Sequence, residues 1–284
     1  MLTIMRLSII EQMRRRVLRV LAVLTVIIVL ITAWGFDQLI ISSRRFMDDV
    51  PLEVIESSLS QVLVFVMFMF SFVLAMVAAS LGAPAISGEV ESGQALALFA
   101  RPLSPTRFVV GRWMGLAAVV GAYALVSGGL ELLTVAVVTG FVPRSPIGAM
   151  GYLAAQGVVI LTLSVVLSTR LPAVASGAIG IVLFGITWVV GIMGSAGRLL
   201  GSTALSDLSR VLRFVFPSDA LWRVAADNAA PPPRSLFDDP FAFQATTNPF
   251  ASGGPSDPGY LLYVCVWIVA MLALAAFSLS RREL

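Results

Sequence analysis

Residues 61–83 read QVLVFVMFMFSFVLAMVAASLGA, a run without a single charged side chain. A helix needs about 20 mostly apolar residues to cross the hydrocarbon core of a bilayer. Five further segments pass the same test, at about 18–35, 113–139, 150–168, 173–193 and 260–280. The expected fold class is therefore an all-α integral membrane protein with six transmembrane helices. The first apolar stretch is longer than the core of a secretory signal and no small-residue cleavage pattern follows it, so it reads as a retained span.

Composition agrees. Of 284 residues, 58% are hydrophobic and 12% charged, against about 25% charged in a soluble domain. The mean hydropathy is +0.94. All 19 basic residues are Arg, with no Lys and no His. That excludes His-based nucleophile systems and imidazole metal ligands. The absence of Lys also excludes the Walker A motif, whose Lys reaches the nucleotide phosphates. No intramolecular disulfide can form from the single Cys265, which lies in an apolar run. The chain is expected to be non-catalytic alone, with no cofactor, no metal and no nucleic-acid partner; membrane lipid is its solvent.

Arginine placement orients the spans. With the N-terminus inside, the cytoplasmic set holds eleven Arg and a net charge of +7, and the outer set a net −3. Both termini are thus expected in the cytoplasm. The N-terminal segment 1–16 spaces Leu2, Met5, Ile9 and Met13 at helical intervals beside Arg6 and Arg14–Arg16, which predicts an amphipathic helix in the cytoplasmic interface.

Connections are unequal in length. The outer loop 36–60 is acidic, and the turns at 140–146 and 168–172 are short. The cytoplasmic segment 84–112 begins with Pro84, read as a break. Ser87 is then expected to N-cap a short helix running to Phe99, with Glu89 and Glu91 in its first turn. Ser104 and Pro105 supply an N-cap and first-turn proline for the third span. The largest outer connection, 194–259, is expected to hold two short helices at the outer interface, the second from Ser218 with Trp222 as its anchor. Its stretch 231–258 is Pro-rich, which argues against regular structure.

Inside the spans only Glu131 is ionisable. It lies about 28 Å along its helix from Arg112, towards the outer leaflet. An intramembrane acid suggests a translocation path or gate, an interhelical hydrogen bond, or exposure at the interface. With one such acid there is no proton relay, which disfavours ion-driven transport. Small residues at Ala117/Gly121 and Ala173/Gly177, with Gly180, Gly185, Gly191 and Gly194, permit close helix approach and could mark a seam between copies.

Taken in order, these stretches resemble the ABC-2 family of ABC transporter permeases over nearly the whole chain. RLSIIEQMRRRVL is similar to the family's N-terminal elbow helix, and ISGEVESGQALALFARPLSPTRFVVGRWMG to its cytoplasmic coupling segment. FPSDALWR is similar to its extracellular helices before the last span, and FSLSRREL to its C-terminus. The resemblance implies that Glu89, Glu91 and Gly93 fall in a coupling helix docked on an ATPase, with Arg101 and Pro102 in the turn after it. It further implies an exporter subunit in a bacterial cytoplasmic (inner) membrane, pairing with a second permease copy or paralogue. Two P-loop ATPase subunits, which bind ATP and Mg, would sit below. Ser92 stands where the family often carries a basic residue. From the residues alone, the alternative is a non-transporting scaffold or sensor that presents 194–259 to an extracellular partner.

Overall fold

The computed structural model describes residues 2–14, 16–46, 52–93, 104–229 and 258–281. Among the described residues the fold is helical throughout. In chain order the helices are α1 (Leu2–Arg14), α2 (Arg16–Phe46), α3 (Leu52–Gly82), α4 (Pro84–Glu91), α5 (Pro105–Thr139), α6 (Pro146–Leu167), α7 (Ala173–Leu199), α8 (Thr203–Val215), α9 (Ser218–Ala229) and α10 (Pro258–Ser280). Six are long and apolar enough to cross a membrane: α2, α3 running on through α4, α5, α6, α7 and α10.

Several spans outrun their apolar cores. The 31 residues of α2 and of α3 make rods of about 46 Å, longer than the ~30 Å hydrocarbon core. The acidic stretch 36–60 is therefore mostly helix, not loop: α2 runs to Phe46 and α3 starts at Leu52. Asp37, Glu53 and Glu56 do not stop these helices, because Glu is a good helix former and one Asp costs a helix only about 0.7 kcal/mol or less.

Local signals set the ends. Ser104 is extended at φ −70°, ψ 136°, and its Oγ accepts the Arg107 amide at 3.4 Å ahead of Pro105. At the far end of the 35-residue helix, Gly140 closes α5 at φ +73°, returning its amide to Ala136 O. Only glycine enters that left-handed region freely. Ser145 caps α6 by accepting the Gly148 amide, again with proline at the first turn.

At the centre of the bundle, α6 packs on α3, α5, α7, α9 and α10. Lipid offers apolar helices no hydrophobic drive to associate, so close packing and buried hydrogen bonds hold them together. Both devices are present here. The Ser71 hydroxyl donates to Gln156 at 3.0 Å and the Trp113 indole to Thr162 at 2.9 Å. A Cβ on Gly82 would come within 2.8 Å of Ser164 Cβ and 2.9 Å of Leu161 O, and one on Gly157 within 2.9 Å of Val120.

The glycines of α7 other than Gly185 pack inside this chain. Gly177 and Gly180 face α3 and α6, through Ala83 and Ser164, while Gly191 faces Asp219, Gly194 faces Ser209 and Gly197 faces Leu205. They seat α8 and α9, so a seam between copies is not needed to explain them. Gly121 and Gly185 meet nothing within 4 Å.

Both outer helices exist, but the second packs inside the protein and presents no exposed Trp222. α9 is buried along nearly its whole length, with Trp222 1% exposed. Its alanines let it enter between α6 and α7, and Trp222 meets Phe68 edge to face at 5.6 Å while Phe68 stacks on Trp188 at 4.5 Å. Aromatic packing and small neighbours outweigh the usual preference of Trp for the membrane boundary. α8 behaves differently. Leu208, Val211, Phe214 and Val215 remain exposed, and its C-terminal carbonyls take hydrogen bonds from α10. Tyr260 OH donates to Arg213 O at 2.9 Å, Tyr263 OH to Phe214 O, and the Trp267 indole to Val215 O at 3.0 Å. These are the acceptors a helix end leaves without internal partners.

A buried ion cluster roots α9. Arg223 Nε donates to Asp219 Oδ2 at 2.9 Å and its Nη1 to Ser195 Oγ at 3.2 Å, with Arg213 Nε 3.7 Å from the same carboxylate oxygen. One turn beyond Arg223, Asp227 is pushed up from an ordinary 3.8 to about 6 by burial, with Arg144 and Arg223 pulling it down. Because the folded state holds this proton more tightly than the unfolded chain, the contribution of Asp227 to stability is full below pH ~4 and is lost as pH rises through about 6. Asp227→Asn is therefore expected to flatten the pH dependence of thermal stability between pH 4 and 6, read by melting curves in detergent.

Candidate functional site

On the face bearing α1, α4 and the α6–α7 turn, one cation ties three elements together. Arg112 lies two turns into α5 with a side chain 9% exposed. Its Nη1 donates to Glu11 Oε2 at 2.5 Å and to Ser8 Oγ at 3.4 Å, both on α1. Its Nη2 stands 3.4 Å from Glu89 Oε1 on α4. The planar fork of Arg, unlike a lysine ammonium, can serve two carboxylates on different helices at once.

Close approach makes this possible. A Cβ on Gly115 would sit 2.6 Å from Ser8 Cβ and 2.8 Å from Met5 O, so α1 lies against bare backbone. The packed side of α1 carries Met5, Ser8, Ile9 and Gln12, while Leu2 and Met13 are exposed. The apolar face expected from spacing alone is thus rotated, because Ser8 and Gln12 find buried positions against α5. Gly115→Val is expected to lever α1 off α5 and expose it to protease, with the six spans still inserted; limited proteolysis reads this.

α4 differs from the sequence expectation at its start. Pro84 does not end the helical path. Ala83 keeps helical dihedrals (φ −55°, ψ −49°), and Pro84 stands at the first position of α4, where its missing amide costs little. Ser87 is consequently inside the helix and buried, its hydroxyl donating back to Ala83 O at 3.0 Å rather than capping. α4 ends at Gly93, whose φ of +73° and amide bond to Val90 O make a left-handed stop.

The two acids of α4 have separate roles. Glu89 faces Arg112. Glu91 Oε1 accepts the Ala173 amide at 3.4 Å, supplying from another helix the cap that Pro172 cannot offer α7. What α4 leaves exposed is its tip, Glu91, Ser92 and Gly93. Arg101 and Pro102, like the apolar stretch 96–99, lie outside the described residues.

Glu131 is 3% exposed. Its Oε1 accepts a hydrogen bond from the Thr32 hydroxyl at 2.9 Å. One and two turns away, Thr25 bonds Tyr123 OH at 3.0 Å and Ser127 Oγ at 3.3 Å. Thr25 and Thr32 are seven apart on α2, and Tyr123, Ser127 and Glu131 four apart on α5. The result is a polar seam along one helix pair inside the membrane.

Arg112, Glu11 and Thr32 belong to these arrangements but carry no local sequence signal, since Glu11 and Arg112 are 101 positions apart and Thr32 and Glu131 are 99. No group of three or more metal-ligating side chains occurs among the described residues.

A family model described as ABC-2 family transporter protein matches residues 2–284. No curated protein matches the chain.

Proposed function

We propose that this chain, which belongs to the ABC-2 transporter family, is the membrane-spanning permease subunit of an ATP-driven exporter. The observation that carries the reading is the mounting of α4. It is continuous with α3, bound to α1 and α5 through Arg112, and bound to α7 through Glu91. A push on its exposed tip passes into three spans without an intervening flexible joint.

In this reading α4 is the coupling helix. Glu89 and Glu91 orient it, Gly93 terminates it, and Arg101 and Pro102 follow in the turn. Two separate P-loop ATPase subunits bind ATP and Mg and close beneath a pair of permeases, formed with a second copy or a paralogue. The face carrying α1 and α4 is cytoplasmic, in keeping with its arginines, and the membrane is the bacterial cytoplasmic membrane. Chemistry stays with the partner because this chain has no Lys and hence no Walker A.

Glu131 is then a latch on the transport path. Its bond to Thr32 holds α2 against α5, and a rigid-body separation of the two exposes the carboxylate. A display scaffold built on 194–259 is the weaker reading, since α9 is buried in the bundle and α8 lies along α7.

The test uses the exposed tip. Ser92→Cys in a Cys265→Ser background is expected to cross-link to a P-loop ATPase in native membranes, with a yield that changes on adding ATP. Normal insertion with no ATPase adduct contradicts the coupling assignment.

A further inference from the structure

A groove of about 390 Å³ runs between α5 and α6, with Leu125, Gly129, Leu133, Ala136, Val142 and Ile147 in its lining. Every lining residue is apolar. Leu125, Leu133, Val142 and Ile147 remain open to the surroundings, Ile147 at 89% exposure. A Cβ on Gly129 would meet nothing within 4 Å, so the floor of the groove is empty where a side chain could stand.

Its dimensions and position are those of one leaflet. On α5 the lining runs from residue 125 to 136, about 16 Å at helical rise, close to half of the ~30 Å hydrocarbon core. At the outer end the lining passes into the 140–145 turn, where exposed Arg144 lies between the lining residues Pro143 and Pro146. A basic residue at that level meets lipid phosphates.

We propose that this groove holds one acyl chain of an anionic glycerophospholipid, with its headgroup phosphate paired to Arg144. The chain replaces contacts that an empty groove would lack. Arg144 selects the headgroup by charge and hydrogen bonds. The site is independent of ATPase coupling, since it lies at the opposite end of α5 from Arg112.

Native mass spectrometry of the full-length chain, purified with its partners in mild detergent and supplied with phosphatidylglycerol or phosphatidylcholine of identical acyl chains, tests it. Wild type is expected to retain phosphatidylglycerol about tenfold better than phosphatidylcholine, a difference of about 1.4 kcal/mol. Gly129→Leu and Ala136→Leu fill the groove and are expected to release both lipids at unchanged size-exclusion behaviour. Arg144→Gln is expected to abolish the preference and leave a residual, headgroup-blind binding. Equal retention by wild type and the filled variants, or no preference in wild type, overturns the proposal. So does efficient disulfide formation between copies carrying Ile147→Cys and Cys265→Ser in native membranes, which would place a second chain over the groove.

Discussion

Replacing Arg112 by Ala is expected to detach α1 and α4 from α5 and, on the permease reading, to uncouple ATP hydrolysis from transport. The guanidinium sits between two carboxylates, and without it Glu11 and Glu89 face each other across a space lined by Ser8. Breaking a fully buried pair costs about 3–5 kcal/mol. Glu11 is 36% exposed, so water screens part of the penalty and about 2 kcal/mol is the expected loss. Two further variants separate charge from packing. Arg112→Lys should restore only one of the two contacts, because an ammonium lacks the fork. Combining Arg112→Ala with Glu11→Gln and Glu89→Gln should recover most of the stability, since two like charges left facing one space, and not lost contacts, dominate the cost. It should not recover coupling, for which the physical link is needed. Melting temperature and permease-dependent ATPase activity, measured on the same samples, distinguish the two effects.

The second large effect is expected on the other face. Asp219→Ala leaves Arg223, whose side chain is 4% exposed, without the carboxylate it binds, and takes from Arg213 the same partner. Breaking a buried pair of this kind costs up to about 3–5 kcal/mol, with Ser195 and the Asp227 carboxyl still beside Arg223, and loosens α9 in its place between α6 and α7. The loss should appear as a lowered melting temperature and as new protease sensitivity near Trp222. Asp219→Asn keeps the shape and one acceptor and should fall between wild type and Ala. Gly191 gives an independent check. Its missing side chain makes room for both carboxylate oxygens of Asp219, which a Cβ would approach to 2.4 Å. Gly191→Val should therefore reproduce the Asp219→Ala phenotype without touching a charge.

The spans were legible because a membrane leaves no other way to use twenty uncharged residues, and the six apolar segments map one to one onto α2, α3, α5, α6, α7 and α10. Ser104–Pro105 was legible as punctuation because capping is local chemistry. Misreadings arose where a local rule met a tertiary contact. Pro84 looks like a stop, yet Ala83 stays helical and Ser87 becomes an interior residue bonded to Ala83 O. Trp222 looks like an interfacial anchor, yet Phe68 and Trp188 receive it inside the bundle.

Constellations were harder still. Glu89 and Glu91 could be singled out as a pair, but not that one binds Arg112 while the other caps α7. Glu131 was visible as the one intramembrane acid. Its partner Thr32 was not, because a threonine in an apolar helix usually satisfies itself on the preceding turn. The glycines of α7 carry the same ambiguity: small residues permit close approach, and only the fold says to what. Here it is α8, α9 and α3 of the same chain.

The most direct measurement is affinity purification of the tagged full-length chain in mild detergent, with identification and activity assay of what co-elutes. The permease reading predicts a stoichiometric P-loop ATPase whose hydrolysis depends on this chain and is lost in Arg112→Ala. A chain that elutes alone, or only with an extracellular protein, contradicts it.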